Sequence, residues 1–271
     1  MNRLIQRAKT WSETLIQHRL LKPRSAKRWL SVVTAIACFA VWGCSSSVQA
    51  GAQVDAKFKE QVLQVIRENP QVILESVRDY QQQQQKAQDE SRQAFLQTMQ
   101  RDRKAAIGNS PTKGDGNILL IEFSDFQCPY CSKAQDTLNQ MLTKYPGKVT
   151  LVYKHFPLTQ IHSEALPAAK ASWAAGQQGK FWEYHDALFR QQEKLGNELY
   201  QQLATTLNLD LKKFERDRTS PTAEAAVNED LKTGEKLGVE GTPSFFASGE
   251  NFAGAIQLPD LEAVLAKAGA Q

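Results

Sequence analysis

Cys128 and Cys131 stand two residues apart in the run Glu122-Phe123-Ser124-Asp125-Phe126-Gln127-Cys128-Pro129-Tyr130-Cys131. Thiols at this spacing can exchange with a disulfide, and their surroundings suit that chemistry. Residues 118–121 are an apolar run of strand length, and residues 132–145 have helical spacing. The pair therefore sits where a strand hands over to a helix. A thiolate at a helix N-terminus is stabilised by unpaired backbone N–H groups and by the positive end of the dipole, which can bring its pKa to roughly 3.5–7.5. The i, i+3 spacing turns the second sulfur onto the same face as the first. Pro129 fits the first helical turn, where its missing N–H costs nothing. Cys128, the N-terminal and more exposed thiol, reads as the nucleophile, and Cys131, one turn further in, reads as the thiol that resolves a mixed disulfide. The bland reading of the same residues is two structural cysteines.

The rest of the cysteine inventory narrows the options. The chain has 271 residues and four cysteines, and Cys38 and Cys44 lie in or beside an N-terminal apolar run. Two thiols in the folded part exclude a structural disulfide framework. A zinc site would need a second pair or histidines at ligand spacing, and no second pair follows. The formal charge of +4 is concentrated at one end: residues 1–50 hold eight Lys/Arg against Glu13, leaving 25 basic and 28 acidic residues beyond. Nothing downstream suggests a nucleic-acid surface.

The elements that must position the pair can be read in order. Residues 1–50 have the basic-then-apolar order of an export signal, with the apolar stretch at 29–43 short for a membrane span. Three fates compete: cleavage after Val48-Gln49-Ala50, lipidation of Cys44 in a Val41-Trp42-Gly43-Cys44 sequence that resembles a lipoprotein box, or retention as an uncleaved anchor. Trp42 stands where such a box usually has a small or β-branched residue. Each fate puts the rest of the chain where disulfide chemistry has a purpose. Residues 55–107 read as helical, with a break at Asn69-Pro70. Their apolar stripe (Phe58, Val62, Val65, Ile73, Val77, Tyr80) fades through a glutamine run and returns at Phe95, Leu96 and Met99. Such a helix is an oligomerisation stalk or a spacer lying on its own domain.

Residues 108–117 read as a linker, after which the domain at 117–271 begins. Strand 118–123, the helix after Cys128 and strand 149–156 form a βαβ unit with a parallel pair. Residues 162–236 interrupt the strand rhythm with an all-helical insertion, its first helix capped by Ser163 with Pro167 in its early turns. Trp182, Tyr184 and Phe189 at helical spacing read as core, and His155, His162 and His185 as structural. Strands return at 243–247 and 252–256, and a last helix occupies 258–268, capped near Pro259-Asp260. Pattern alone yields an α/β fold with an inserted helical module.

The motif Phe126-x-Cys128-Pro129-Tyr130-Cys131, after an apolar strand with an embedded Glu122, resembles the DsbA-like branch of the thioredoxin-fold disulfide oxidoreductases over residues 118–267. The resemblance implies a thioredoxin fold with the helical insertion. It makes Gly241-Thr242-Pro243-Ser244-Phe245 the cis-proline loop that faces the cysteines and pairs with substrate backbone. It places Glu122 beneath the pair as a proton shuttle for Cys131; the bland reading is a solvent-facing carboxylate. Lys154 is a candidate partner for Glu122 that no spacing argument supports. The Pro129-Tyr130 dipeptide, shared with glutaredoxins, departs from the commonest DsbA pair and implies an intermediate potential. The helical N-terminal extension is similar to that of oligomeric relatives linked to copper tolerance and disulfide isomerisation.

The expected activity is thus protein thiol:disulfide exchange in an extracytoplasmic space, in the oxidase or isomerase direction, with no cofactor beyond the redox pair itself. Expected partners are proteins with thiols or disulfides, a membrane redox partner that resets the pair, and further copies of the chain through residues 55–107. The competing class is a binder of copper or of unfolded chains with the dithiol as ligand, since Cu(I) favours thiolates.

Overall fold

The apolar run ahead of the cysteines is the central strand of a five-stranded sheet. The computed structural model describes residues 55–247, 249–254 and 256–269. The signal or anchor segment, with Cys38 and Cys44, lies outside the described residues. Among the described residues no helix is long and apolar enough to cross a membrane.

Helix α1 (Ala56–Glu68) carries no buried residue, and Phe58, Val62, Val65 and Ile66 are exposed. A second unit begins at Asn69. Pro70 opens α2 (Pro70–Arg101), whose two halves differ. Val72, Ile73, Leu74, Val77 and Tyr80 stay exposed. Further along, Phe95, Leu96 and Met99 pack on Leu119, Ile121 and Phe246, and Arg92 Nε donates to the Leu237 carbonyl (3.2 Å). The spacer reading therefore describes the C-terminal half of α2. Helix α3 (Arg103–Ile107) follows, with Asp102 accepting from Ala105 N as its cap.

The expected linker at 108–117 contains a short edge strand, β1 (Thr112–Lys113). Then come β2 (Ile118–Ser124), α4 (Pro129–Lys144) and β3 (Val149–His155). Strands β2 and β3 pair in parallel, as the βαβ reading requires. The helical insertion holds α5 (Ala165–Gly176), α6 (Phe181–Arg190), α7 (Asn197–Thr206), α8 (Leu211–Arg218) and α9 (Pro221–Lys236). Asp210 and Ser220 cap α8 and α9. Ser163 does not cap α5: the helix begins at Ala165, so Glu164 takes the N-cap position. Strands β4 (Ser244–Ala247) and β5 (Glu250–Ala253) and helix α10 (Leu258–Gly269) close the chain. The last strand lies earlier than the expected 252–256. Gly249, at φ 83°, permits a tight turn that pairs Ala247 with Glu250, and Gly254, at φ 92°, ends the strand. Helix α10 begins at Leu258, ahead of the expected cap near Pro259-Asp260, and Gln257 N donates to Asp260 Oδ2 (3.2 Å) in its first turn.

The sheet order is β1-β3-β2-β4-β5, parallel between β2 and β3 and antiparallel elsewhere. Its two faces bury different partners. Leu120, Leu151 and Phe245 pack on α4 and α10 through Leu138, Met141 and Leu261. Ile121, Phe123 and Val152 pack on the opposite side with Met99, Ala106 and Phe156. Just past the C-terminal end of β2, Phe126 stacks on Tyr153 of β3 (5.3 Å between centroids) and packs on Phe189 of α6 (5.0 Å). One aromatic residue two places before Cys128 thus joins the cysteine loop to the core of the helical module. Tyr184 and Phe189 are buried there as expected, and Trp182, half-buried, donates from Nε1 to the Thr112 carbonyl (2.6 Å).

Candidate active site

Cys128 occupies the N-cap of α4, with extended backbone (φ −75°, ψ 120°) and Pro129 in the first turn. Its carbonyl accepts from Cys131 N (3.1 Å) and Ser132 N (3.2 Å). Both cysteines are free thiols. They differ less in exposure than their positions suggest: Cys128 is 4% exposed and Cys131 0%. Cys128 Sγ lies 3.3 Å from the Thr242 carbonyl oxygen, a distance at which it donates only while protonated, and the Thr242–Pro243 bond is cis. Tyr130 is exposed, with the Lys133 ammonium 5.6 Å from its ring centroid.

The two thiols have opposite acidities. Hydrogen bonding from the Cys131 thiol lowers the Cys128 pKa to about 5, against burial, and the N–H groups of Cys131 and Tyr130 add to the effect. Burial raises the Cys131 pKa well above the ordinary thiol value, and its donation to Cys128 and the nearby Glu122 charge push the same way. One sulfur is therefore held as a thiolate and the other as its protonated donor.

Glu122 is fully buried on β2, which removes the solvent-facing reading. Gln135 Nε2 donates to both carboxylate oxygens (3.3 Å each). Burial raises its pKa to about 7. Lys154 is not its partner. The β2–β3 register sets Tyr153 opposite Glu122 and Lys154 opposite Phe123, so Lys154 points to the other face of the sheet. There it pairs with Asp230 (3.1 Å). Because folding raises the Glu122 pKa, the folded state binds its proton more tightly. Its favourable contribution is complete below about pH 4.5 and is lost as pH rises through about 7. Glu122→Gln is expected to unfold like the parent at pH 4 and to gain up to about 3 kcal/mol at pH 8. Urea unfolding at the two pH values measures the difference.

Several polar residues around the cysteines gave little or no sequence signal. Gln135 had one: it lies four residues after Cys131, on the same face of α4. Asp125 interrupts an apolar stretch between β2 and Phe126, and its buried carboxylate accepts from Gln127 N (2.8 Å), Leu158 N (3.0 Å) and His162 Nδ1 (2.8 Å). Gln192, 64 residues from Cys128 in sequence, donates to the Phe126 (2.8 Å) and Cys128 (3.0 Å) carbonyls; nothing local marks it. His155 and His185 are buried among the aromatic rings, and burial lowers the pKa of His155 to about 4. Among the described residues no three or more His, Cys, Asp or Glu side chains gather as a metal site.

Residues 107–267 match a family model described as Thioredoxin. Among curated proteins, the chain is 34% identical over 151 residues to the Na(+)/H(+) antiporter NhaA 3 of Salinispora tropica, a match covering 56% of this chain and 23% of the antiporter. The chain thus spans under a quarter of the length of that relative. Among solved structures, it is similar to a thioredoxin-like oxidoreductase from Silicibacter pomeroyi DSS-3, with TM-score 0.58 and 29% identity over 63% of this chain and 99% of that one. Proteus mirabilis ScsC in a transitional conformation shares the fold at TM-score 0.55 and 20% identity, over 79% of this chain and 96% of that one.

Proposed function

The chain belongs to the thioredoxin family and carries its DsbA-like fold, and from that premise we propose that it is an exported protein thiol:disulfide oxidoreductase. The observation that carries the reading is a thiol held near pKa 5 at the N-cap of α4, against the carbonyl before a cis proline. In the reductive half-reaction the Cys128 thiolate attacks a substrate disulfide. A Cys128–substrate disulfide forms and one substrate sulfur leaves as thiolate. Cys131 then attacks Cys128, closing the Cys128–Cys131 disulfide and releasing the second substrate thiol. In the opposite direction a substrate thiolate attacks Cys128 of the closed disulfide, and Cys131 is the leaving thiolate.

The other residues have matching tasks. Glu122, buried and titrating near neutrality, gives or takes the proton of Cys131. Thr242 and Pro243 line the surface where substrate backbone docks beside Cys128. Pro129 and Tyr130 shape the turn, and exposed Tyr130 offers an aromatic contact to the substrate. A favoured Cys128 thiolate stabilises the dithiol over the disulfide, which supports disulfide donation as the direction. A membrane redox partner would then reset the pair. The exposed apolar side chains of α1 and early α2 support self-association through residues 55–107, and the basic-then-apolar N-terminus supports export.

Cys131→Ser separates exchange from ligand binding. The variant is expected to accumulate covalent adducts on Cys128 with disulfide-bearing proteins, whose second sulfur leaves as thiolate; the adducts are visible on non-reducing gels and lost on reduction. Finding no such adducts while the wild-type chain binds copper would sink the oxidoreductase reading. A reduction potential near about −120 mV against glutathione would fit a disulfide donor, and one near or below about −230 mV a reductant or isomerase.

A further inference from the structure

We propose that Asp125 and His162 are a positioning pair for the resolving thiol. The inference rests on the exchange chemistry proposed above and adds two residues to it. The main chain of Asp125 touches both cysteines: its N–H donates to Cys131 Sγ (3.5 Å) and its carbonyl accepts from Cys128 N (3.1 Å). Its side chain is 0% exposed. A buried carboxylate is costly unless hydrogen-bonded or paired, and this one takes three donors. Gln127 N, from the cysteine loop itself, reaches Oδ1, while Leu158 N and His162 Nδ1, both from the loop after β3, reach Oδ2. Donation to a carboxylate requires His162 to carry its proton on Nδ1.

The consequence lies in where the Asp125 N–H points. Every exchange cycle passes through a Cys131 thiolate, as attacker in one direction and leaving group in the other. In the closing step Cys131 gives up its proton and attacks Cys128. The Cys131–Cys128 bond forms, the Cys128–substrate bond breaks, and the substrate sulfur leaves with the electron pair and takes up a proton. Negative charge therefore develops on a sulfur buried in the protein, where ionisation is opposed by desolvation. The Asp125 N–H is a preorganised donor to that charge. Its direction is held by the carboxylate three bonds away, and His162 holds the carboxylate. The pair acts on Cys131 through the main chain and does not touch the substrate.

The test uses the reduced full chain carrying Cys38→Ser and Cys44→Ser, so that Cys128 and Cys131 are its two thiols, and the aromatic disulfide 5,5′-dithiobis(2-nitrobenzoate) in stopped flow; this parent serves as the wild type. Attack by Cys128 releases one thionitrobenzoate, and closure by Cys131 releases a second. The wild type is expected to show both phases. Asp125→Ala and His162→Leu are expected to slow the second phase about tenfold, equivalent to about 1.4 kcal/mol of thiolate stabilisation, and to change the first less than threefold. His162→Gln keeps an N–H donor and is expected to stay within about threefold of wild type in both phases, a rescue that loss of packing alone would not produce. If Asp125→Ala does not fold, Asp125→Asn carries the same expectation, because its amide cannot accept from all three donors. An unchanged second phase, or equal slowing of both phases, overturns the inference. A wild-type protein that releases only one thionitrobenzoate overturns the oxidoreductase reading itself.

Discussion

Among the cysteines of the described residues, iodoacetamide is expected to modify Cys128 alone in the reduced native protein, at a rate that falls to half near pH 5. The midpoint follows from the lowered Cys128 pKa, and the selectivity from the raised pKa and complete burial of Cys131. The informative quantity is the pH profile. At pH 7 a thiol of pKa about 5 is roughly 99% ionised and an ordinary one of about 8.5 roughly 3%, but nucleophilicity per thiolate falls with pKa at a Brønsted slope of about 0.4–0.5. Over about 3.5 units that loss is roughly 40-fold, so the two effects nearly cancel at pH 7. At about pH 5.5 the ionised fractions differ roughly 800-fold, and Cys128 should react about 20 times faster than a free thiol. Peptide mapping of the alkylated site across pH 4–9 measures this; a midpoint near 8.5 would show that Cys128 is not held as a thiolate.

The same shift has a thermodynamic reading. The folded Cys128 pKa lies below its unfolded value, so its contribution to the reduced state is complete above about pH 8.5 and is lost as pH falls through about 5. The Cys128–Cys131 disulfide closes so short a loop that it gains little from chain entropy. The reduced form is therefore expected to melt above the oxidised form at pH 8, with the gap shrinking toward pH 5.

The second large effect lies away from the cysteines. Asp230→Ala is expected to destabilise the protein by about 3–5 kcal/mol, because it leaves the Lys154 ammonium buried without its counter-charge. The two side chains are 7% and 12% exposed, and Asp230 Oδ1 lies 3.1 Å from Lys154 Nζ. Asp230 also accepts from Ser110 Oγ (3.2 Å) and His155 N (3.0 Å), so one carboxylate ties α9 to β3 and to the loop after α3. Replacing both charges, as Lys154→Met with Asp230→Leu, should recover part of the loss, since no buried charge is then left unpaired while the buried His155 N–H still lacks its acceptor. Urea midpoints at constant slope give the comparison. A single variant that loses less than about 1 kcal/mol, the ordinary range for surface pairs, would mean that water reaches Lys154.

Much of this site was legible before the fold was known, and for local reasons. The Cys128–Cys131 spacing, the proline at the first turn and the strand-to-helix handover all operate within a few residues. Periodicity likewise marked the βαβ unit, the helical insertion and the return of strands, because the burial of one face is written every second or every third to fourth residue. Resemblance identified the cis-proline loop and singled out Glu122. The misses have a common form. Glu164 rather than Ser163 precedes the first turn of α5, the last strand lies closer to its hairpin turn than residues 252–256, and Lys154 pairs with Asp230 rather than Glu122.

Residue types and local spacing set the chemistry available: two thiols one helical turn apart at a helix start, a carboxylate embedded in an apolar strand, and a proline loop more than a hundred residues on. Long-range packing sets how that chemistry is tuned. The register of β2 on β3 sends Lys154 to the far face and leaves Glu122 with Gln135. Contacts from Thr242, Gln192 and His162 converge on the cysteine loop from distant parts of the chain. The physical reason is that acidity depends on desolvation and on the donors and charges within a few ångströms, and those are set by which segments pack together rather than by which residues are neighbours in sequence.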